Sequence, residues 1–274
     1  MRLKYSEEQL RAMAHNIRID VIESLHRAGS GHPGGSLSIA EMMSVLYFWE
    51  MNLDPENPRW EERDRFVLSK GHAAPAYYAA LAERGYFSKE LLKTLRQIDS
   101  PLQGHPDRKK VAGVDMSTGS LGQGISAAAG MACFAKRRNQ DFRVYCILGD
   151  GEMQEGEVWE ALMSAAHYKL SNFTVLLDNN NLQIDGQVSD VMSVYPIREK
   201  VEAFGWQVLE VDGHDVKALC GALEQARENV KAPTFIICRT IKGKGVSFME
   251  NQAGWHGAAV TDENYEMAMK ELNV

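Results

Sequence analysis

Two polar residues are spaced so that a parallel sheet would bring them together. Asp150 follows the apolar run RVYCIL, and Asn180 follows the next such run, FTVLLD, 30 residues later. If the segment between them is a right-handed crossover, both residues reach the same edge of one sheet. Carboxylate and amide oxygens are hard ligands that suit Mg²⁺ or Ca²⁺. The pair therefore predicts a divalent cation site, although Asp150 taken alone also fits a D-G turn.

The loop that contains Asp150 is rich in glycine and in acidic residues. Gly149 and Gly151 flank the carboxylate and would let the backbone approach a ligand closely. The same loop carries three glutamates, which would repel a bare phosphate group. A metal ion that bridges protein and phosphate therefore fits this loop better than a direct phosphate cradle. The glutamates are Glu152, Glu155 and Glu157.

The eight histidines fall into two groups. His15, His26 and His167 lie in helical patterns, where a surface or core role is the simpler interpretation. The other five adjoin a glycine, and loop histidines are better placed to meet a ligand. The spacing between these histidines does not match that of zinc ligands such as HxxxH or HxH. Neutral imidazoles suit a polyhydroxylated, phosphorylated substrate, which needs hydrogen-bond donors, hydrogen-bond acceptors and proton transfer. The five are His32, His72, His105, His256 and the weakest candidate, His214.

Short apolar runs alternate with longer helical patterns along the chain. This alternation predicts an α/β fold with a mostly parallel sheet and helices on both faces. Ligands of such sheets bind beyond the carboxyl ends of the strands, which here are followed by SKGH, GDGEMQEG, DNNNLQID and KGKG. The predicted strands are 65–69, 143–148, 173–177, 206–211 and 234–240, and the main predicted helices are 6–27, 75–85, 157–169 and 215–229.

Two helices begin with capping patterns. Ser6 and Gln9 form a capping box for the first helix. Ser38 with Glu41 predicts the start of a second helix that continues through Met51.

One glycine motif matches the dinucleotide-binding fingerprint. Gly122, Gly124 and Ala127 fit GxGxxG/A, but a true fingerprint follows a strand, and VDMSTGS is not strand-like. The glycines are better interpreted as the start of a helix that continues to Arg137. We expect the N-terminal N–H groups of that helix to face a cofactor.

The composition excludes several functional classes. With 30 Lys and Arg against 37 Asp and Glu in 274 residues, the net charge is −7. An acidic chain without basic blocks predicts no nucleic-acid partner and no anionic membrane partner. No apolar run approaches the roughly 18 residues of a membrane span, and no signal-peptide pattern opens the chain. The four cysteines are few and widely spaced, which predicts a reducing environment, so we expect the protein in the cytoplasm. The length of 274 residues fits one large domain, which we expect to span residues 1–274.

Seven motifs together resemble the transketolase family. The GDG…NN pair resembles the thiamine diphosphate signature, in which an Asp, the second Asn and a carbonyl two residues beyond it bind a cation. The motifs occur in transketolase order over essentially the whole chain, which is similar to the N-terminal, diphosphate-binding domain of that family. They are SGHPGG (30–35), SKGHAAPA (69–76), GHP (104–106), STGSLGQGISAAAGMA (117–132), GDGEMQEG (149–156), DNNNLQIDG (178–186) and WHG (255–257).

The resemblance implies thiamine diphosphate as cofactor and a set of residues that hold it. Mg²⁺ or Ca²⁺ would be held by Asp150, Asn180 and the carbonyl of Leu182. Ile184 would pack against the cofactor ring. Ser120 departs from the family, in which many members have proline, so we expect at most a shift in cofactor affinity. The implied cofactor contacts are His72, Gly119, Ser120, Leu121, Gly151, Glu152, Asn180, Ile184 and His256.

The resemblance also implies a substrate side and an interface. His32, His105 and His256 would face the sugar, with His32 and His256 in proton transfer. Glu155 and Glu160 would join an acidic network across a subunit interface. The implied reaction transfers a two-carbon ketol unit from a ketose phosphate to an aldose phosphate.

Two parts of a transketolase site have no counterpart in this sequence. In the family, the glutamate that polarises the aminopyrimidine ring and the arginines that bind substrate phosphate lie beyond the first domain. The closing segment TDENYEMAMKELNV is typical of a capped terminal helix. We therefore expect an N-terminal subunit of a split transketolase, with a C-terminal subunit that supplies the pyrimidine-binding domain. A homodimer or heterotetramer is expected, and a shortened form of a longer chain is the alternative.

Other functions share part of this pattern. The GDG…NN pair alone also fits a deoxyxylulose-phosphate synthase or the alpha chain of a 2-oxoacid dehydrogenase. A non-catalytic cofactor-binding scaffold is a third hypothesis. The STGSLGQG segment and the glycine-adjacent histidines favour transketolase.

Overall fold

A five-stranded parallel sheet forms the centre of the protein. The computed structural model describes residues 2–273. The strands are β1 (Arg65–Leu68), β2 (Val144–Gly149), β3 (Phe173–Asn179), β4 (Leu182–Gln183), β5 (Gly186–Gln187), β6 (Gln207–Asp212) and β7 (Thr234–Arg239). The sheet order is β1-β2-β3-β7-β6, with every neighbouring pair parallel, while β4 and β5 form a separate antiparallel pair. All five predicted strands are confirmed to within a few residues at their ends.

Helices cover both faces of this sheet, which confirms the predicted fold class. The helices are α1 (Glu7–Ala28), α2 (Pro33–Leu37), α3 (Ala40–Val45), α4 (Ala74–Arg84), α5 (Gln123–Arg137), α6 (Gly156–His167), α7 (Val188–Val191), α8 (Ile197–Ala203), α9 (Val216–Glu228) and α10 (Asp262–Glu271). One face of the sheet packs against α1, α3, α4 and α9, and the other face packs against α5, α6 and α8.

Successive residues of the central strands enter two different cores. In β2, Tyr145 and Ile147 pack with α1 and α4, whereas Cys146 and Leu148 pack with α5 and α6. All four side chains are buried, as the period-two alternation of a strand buried on both faces requires. The sheet is therefore a rigid platform whose carboxyl edge carries the polar segments.

The two predicted capping patterns have different outcomes. Ser6 and Gln9 form both hydrogen bonds of a capping box (3.2 and 2.9 Å), so that prediction is confirmed. The helix predicted from Ser38 through Met51 is largely confirmed, because α3 continues directly into a π-helical turn over Leu46–Glu50, but its predicted cap is wrong: Ile39 occupies the N-cap position and no side chain caps the helix. Ser38 and Glu41 form tertiary contacts instead of a cap, which the local sequence does not reveal.

The chain ends in a capped helix, as predicted. The Thr261 side chain accepts a hydrogen bond from the Asn264 N–H (3.2 Å) at the start of α10. Among residues 2–273 no helix is both long enough and apolar enough to cross a membrane.

Candidate active site

The carboxyl ends of β2 and β3 bring the predicted cation ligands into one pocket. The buried Asp150 carboxylate accepts hydrogen bonds from Asn179 Nδ2 (3.2 Å) and from the Asn181 N–H. Asn180 Oδ1 accepts a bond from the Leu182 N–H (3.0 Å), so the chain after β3 folds back beside Asp150. Asp150, Asn180 and Leu182 all line this pocket.

The donor set of the pocket fits a hard cation. Burial, and then the neighbouring Asp178 carboxylate, raises the pKa of Asp150 to about 6. A divalent cation would counter both effects by favouring the ionised carboxylate. Across residues 2–273, no three His, Cys, Asp or Glu side chains converge as a metal-binding group. A metal here would therefore depend on amide and carbonyl oxygens in addition to Asp150, as Mg²⁺ and Ca²⁺ allow.

A buried ion pair between Lys70 and Asp178 lines the same pocket and was missed by the sequence analysis. Lys70 Nζ donates to the Asp178 carboxylate and to the Gly35 carbonyl (2.9 Å). Asp178 also accepts bonds from Ser38 Oγ (2.7 Å) and Asn180 Nδ2 (3.0 Å). Burial acts to raise the pKa of Asp178, but the charge and hydrogen bond of Lys70 outweigh it and lower that pKa. The sequence signal that could have identified this pair is that Lys70 and Asp178 each follow an otherwise apolar run, RFVLS and FTVLL.

Lys242 is a second site residue that the sequence analysis did not single out. It belongs to the KGKG segment after β7, and its Nζ lies 3.2 Å from the Leu182 carbonyl and 3.0 Å from Nδ1 of His256. Burial, and then the charge of Lys70, lowers the pKa of Lys242 to about 8. A lysine in this position would neutralise part of the charge of a bound diphosphate.

Four of the five glycine-adjacent histidines meet next to this pocket. The ring centre of His32 lies 5.4 Å from that of His72, 6.0 Å from His105 and 5.6 Å from His256. The rings of His72 and His256 are 4.8 Å apart. These residues come from four separate loops, so the fold brings together positions as distant as 32 and 256. His214 does not join the group.

Burial keeps the clustered histidines neutral. Burial, followed by neighbouring positive groups, lowers the pKa of His32 to about 4 and that of His256 to about 3. Burial also lowers the pKa of His72 and of His105, with further contributions from Lys70 and Arg96 respectively.

Neutral imidazoles can donate through one nitrogen and accept through the other. The Nδ1 atom of His32 is buried and lacks a hydrogen-bond partner in residues 2–273, which leaves it available to a ligand.

The glycine-rich segment before α5 closes the pocket from another side. Gly119 has φ +147°, and a Cβ atom there would lie 3.1 Å from the His105 ring, so only glycine fits without displacement. A turn precedes α5 and no strand does, as the interpretation of Gly122 and Gly124 predicted.

The expectation that the first N–H groups of α5 face a cofactor is wrong for two of them. The Gly122 N–H donates to Glu152 Oε1 (2.9 Å), and the Ile125 N–H donates to Ser69 Oγ (3.2 Å). Both acceptors are buried side chains of the protein itself.

The Glu152 carboxylate is occupied by contacts within the protein. It accepts bonds from Ser69 Oγ (2.6 Å) and from the N–H groups of Gly122 (2.9 Å) and Gly149 (3.0 Å). Burial raises the pKa of Glu152, and these hydrogen bonds oppose that effect. Glu152 lines the pocket, but the contacts favour a role in holding two glycine loops over a direct bond to a cofactor.

The chain and its fold are similar to those of known proteins. The family model for the thiamine diphosphate binding domain of transketolase matches residues 9–273. This chain belongs to the transketolase family. Transketolase from Campylobacter jejuni has the same fold, with a TM-score of 0.91 and 36% identity over 97% of this chain.

The transketolase relatives differ in length. A 6-deoxy-6-sulfo-D-fructose transketolase subunit from Clostridium sp. (strain MSTE9) is 45% identical over 97% of this chain and 98% of its own length. An apulose-4-phosphate transketolase subunit from Phocaeicola vulgatus is 40% identical over 97% of this chain and 94% of its own length. Human transketolase is 44% identical over 98% of this chain, which spans only 43% of the human protein.

Several residues that the transketolase resemblance singled out lie exposed around the pocket. Leu121 is 39% exposed and Ile184, on the turn between β4 and β5, is 67% exposed, and both line the pocket. Ser120 is exposed beside Leu121, and Gly151 starts the turn after Asp150 and also lines the pocket. These positions remain predictions as transketolase cofactor contacts.

The two predicted interface residues also lie on the surface. Glu155 occupies the N-cap position of α6 without a side-chain cap hydrogen bond and lines the pocket, and Glu160 lies on α6, at the groove between α5 and α6. Neither carboxylate has a hydrogen bond or ion pair within the described part of the chain. Their role at a transketolase interface remains a prediction.

His214 lies outside the histidine cluster and forms hydrogen bonds that hold the fold together. Its Nδ1 lies 3.0 Å from Glu41, and its Nε2 accepts a bond from the Ile241 N–H (2.9 Å), so Nδ1 carries the proton. Arg18 binds the same Glu41 (2.7 Å) and donates to the carbonyl of Lys244 (2.8 Å). This buried network anchors the loop that contains Lys242.

Proposed function

We propose that this chain is the cofactor-binding subunit of a two-chain transketolase. The reaction would transfer a two-carbon ketol unit from a ketose phosphate to an aldose phosphate, as in the sugar interconversions of the pentose phosphate pathway. The observation that carries the proposal is the neutral histidine cluster beside the Asp150–Asn180 edge. Such a site combines an anion-and-metal pocket with proton donors and acceptors for a polyhydroxylated substrate.

The proposed cofactor site lies at the carboxyl edge of the sheet. Asp150, Asn180 and the Leu182 carbonyl would hold Mg²⁺ or Ca²⁺ against the diphosphate, with Lys242 adding a positive charge. Thiamine diphosphate, when bound, supplies the nucleophilic carbon and the electron sink for the transfer. Ile184 would pack on its ring. The further proposed contacts are His72, Gly119, Ser120, Leu121, Gly151, Asn180 and His256, while Glu152 would hold the glycine loops around them.

The proposed substrate site is formed by the clustered histidines. His32 and His256 would donate and accept protons on the hydroxyls of the sugar, because both imidazoles stay neutral at physiological pH. His105 would bind a further hydroxyl. The side chains of His32, His72 and His256 are half-buried, which limits competing water.

A partner chain would complete the site. The lengths of the two bacterial subunit relatives match this chain, whereas human transketolase is more than twice as long, and this supports a split enzyme. We propose that the partner supplies the pyrimidine-binding domain, its activating glutamate and the arginines for substrate phosphate. Residues 1–274 would then be a single diphosphate-binding domain in a cytoplasmic homodimer or heterotetramer, with Glu155 and Glu160 at an interface.

The substrate class is tested with the assembled enzyme. The complex, thiamine diphosphate and Mg²⁺ are incubated with an aldose phosphate and either a ketose phosphate or pyruvate. Ketol transfer from the ketose phosphate alone is the expected result. Turnover of pyruvate instead would indicate another thiamine diphosphate enzyme, and cofactor binding without any turnover would indicate a scaffold.

A further inference from the structure

Arg96 places a positive charge beside two of the clustered histidines. It follows the 3-10 helix Lys89–Thr94 and has φ +61°, a left-handed conformation that is uncommon for arginine. Its N–H donates to the Leu102 carbonyl (2.8 Å). This turn returns the chain to the GHP segment that contains His105.

The Arg96 guanidinium lies against the glycines that precede those histidines. A Cβ atom on Gly104 would lie 2.7 Å from Arg96 Nη1 and 3.0 Å from Cζ, and one on Gly31 would lie 4.0 Å from Nη1. Burial and the charge of Arg96 act together to lower the pKa of His105, and Arg96 also contributes at His32. Because Gly104 has no side chain, the Arg96 guanidinium can lie next to His105.

The donors of this guanidinium are unused within the described chain. Over residues 2–273 the Arg96 side chain makes no hydrogen bond and no ion pair. The lysines of the site differ, because Lys70 pairs with Asp178 and Lys242 donates to the Leu182 carbonyl. A free guanidinium offers a planar fork of donors that matches an oxyanion.

We propose that Arg96 binds the anionic group of a sugar substrate next to His32 and His105. The inference rests on the proposed ketol transfer and adds a contact from this chain to those that a partner would supply. Bidentate hydrogen bonds from the guanidinium orient the oxyanion, and the hydroxyl groups of the sugar then extend toward the imidazoles.

The test compares charged and neutral donors in the assembled enzyme. Arg96→Gln is assayed with D-fructose 6-phosphate and with D-fructose. The KM for the phosphorylated donor should rise about tenfold or more, because a charge-assisted hydrogen-bond pair is lost. The KM for D-fructose and the affinity for thiamine diphosphate should stay unchanged. No rise with the phosphorylated donor, or an equal rise with both, would overturn the inference.

Three further variants separate charge, shape and location. Arg96→Lys keeps the charge without the fork, so its KM should be intermediate. Gly104→Ala keeps Arg96 but fills the space of its guanidinium, and should reproduce the selective rise in KM. Arg11→Gln removes an exposed arginine on α1 and should leave both KM values unchanged. Thermal unfolding of each variant checks that the fold is intact.

A measurement on the chain alone separates this inference from the proposed function. If the assembled enzyme transfers no ketol unit from either donor, the proposed function fails, but Arg96 can still be tested. Inorganic phosphate is then titrated into the labelled chain while the ring C–H signals of His105 are followed by NMR. A shift in the unaltered chain that is absent in Arg96→Gln supports the anion site. No shift in either chain overturns it.

Discussion

Lys242 Nζ and His256 Nδ1 lie 3.0 Å apart in a part-buried contact. An ammonium group can only donate, so His256 accepts through Nδ1 and its remaining proton lies on Nε2. The contact therefore fixes both the tautomer and the neutral state of His256. A neutral imidazole with a defined N–H is a suitable donor for a substrate oxygen in the histidine cluster.

Removing the Lys242 charge should make His256 more basic. Burial, and then this charge, lowers the pKa of His256 to about 3, so Lys242→Met should move its titration midpoint upward toward the ordinary histidine range. The midpoint is measured by NMR on the chain without cofactor. Lys244→Met is the control, because Lys244 pairs with Glu250 at 3.4 Å. An unchanged midpoint in Lys242→Met would contradict the assigned contact.

Breaking the Lys70–Asp178 pair should destabilise the fold strongly. Both side chains are almost completely buried, and Lys70→Met leaves the Asp178 carboxylate without its countercharge. Loss of one partner of a buried pair lowers the free energy of unfolding by about 3–5 kcal/mol. Lys93→Met, which breaks an exposed pair with Glu90, should lower it by less than about 1 kcal/mol. Urea denaturation distinguishes the two, and equal losses would argue against the buried pair.

The Asp150 carboxylate should control cofactor binding through the cation. Asp150→Asn keeps the size of the side chain but removes the charge that a divalent ion requires. Calorimetry with Mg²⁺ should show thiamine diphosphate affinity reduced by at least about tenfold. Chelation of Mg²⁺ should weaken binding in the unaltered chain and have little further effect in the variant. Asp141→Asn, at an exposed position before the start of β2 and outside the pocket, is the matched control. Full affinity in Asp150→Asn would refute the ligand assignment.

Acid should release the network that anchors the Lys242 loop. Burial acts to raise the pKa of Glu41, but the His214 hydrogen bond and the Arg18 charge outweigh it and lower the pKa from 4.5 to about 2. The ionised Glu41 therefore stabilises the fold above pH 4.5, and that contribution is lost as the pH falls toward 2. The shift corresponds to about 3 kcal/mol.

Glu41→Gln tests this linkage. Its free energy of unfolding, measured by urea titration at several pH values, should fall less steeply below pH 4.5 than that of the unaltered chain. Parallel pH profiles for the two proteins would show that Glu41 is not the responsible group.

Local patterns predicted the sheet and much of the candidate site. The apolar runs before Asp150 and Asn180 define parallel strands, and parallel strands necessarily bring their carboxyl ends to one edge. Glycine next to His32, His105 and His256 indicated loops that could reach that edge. These features depend on periodicity and on residue type, which a sequence displays directly.

The missed features depend on contacts between distant parts of the chain. Lys70 and Asp178 are 108 positions apart, and nothing near either one identifies its partner. Ser38 and Glu41 match a capping pattern, yet their side chains bind Asp178 and Arg18, and the helix begins at Ala40 without a side-chain cap. Tertiary hydrogen bonds of buried groups outweigh a local cap, because an unpaired buried charge is the more costly alternative.

The division of the active site between two chains is tested most directly by reconstitution. Rigorously purified chain is assayed for ketol transfer with thiamine diphosphate and Mg²⁺, first alone and then with a partner that carries the pyrimidine-binding domain. We expect no turnover by the chain alone and turnover by the mixture, which chelation of Mg²⁺ or Asp150→Asn abolishes. Sustained ketol transfer by the chain alone would contradict the two-chain site.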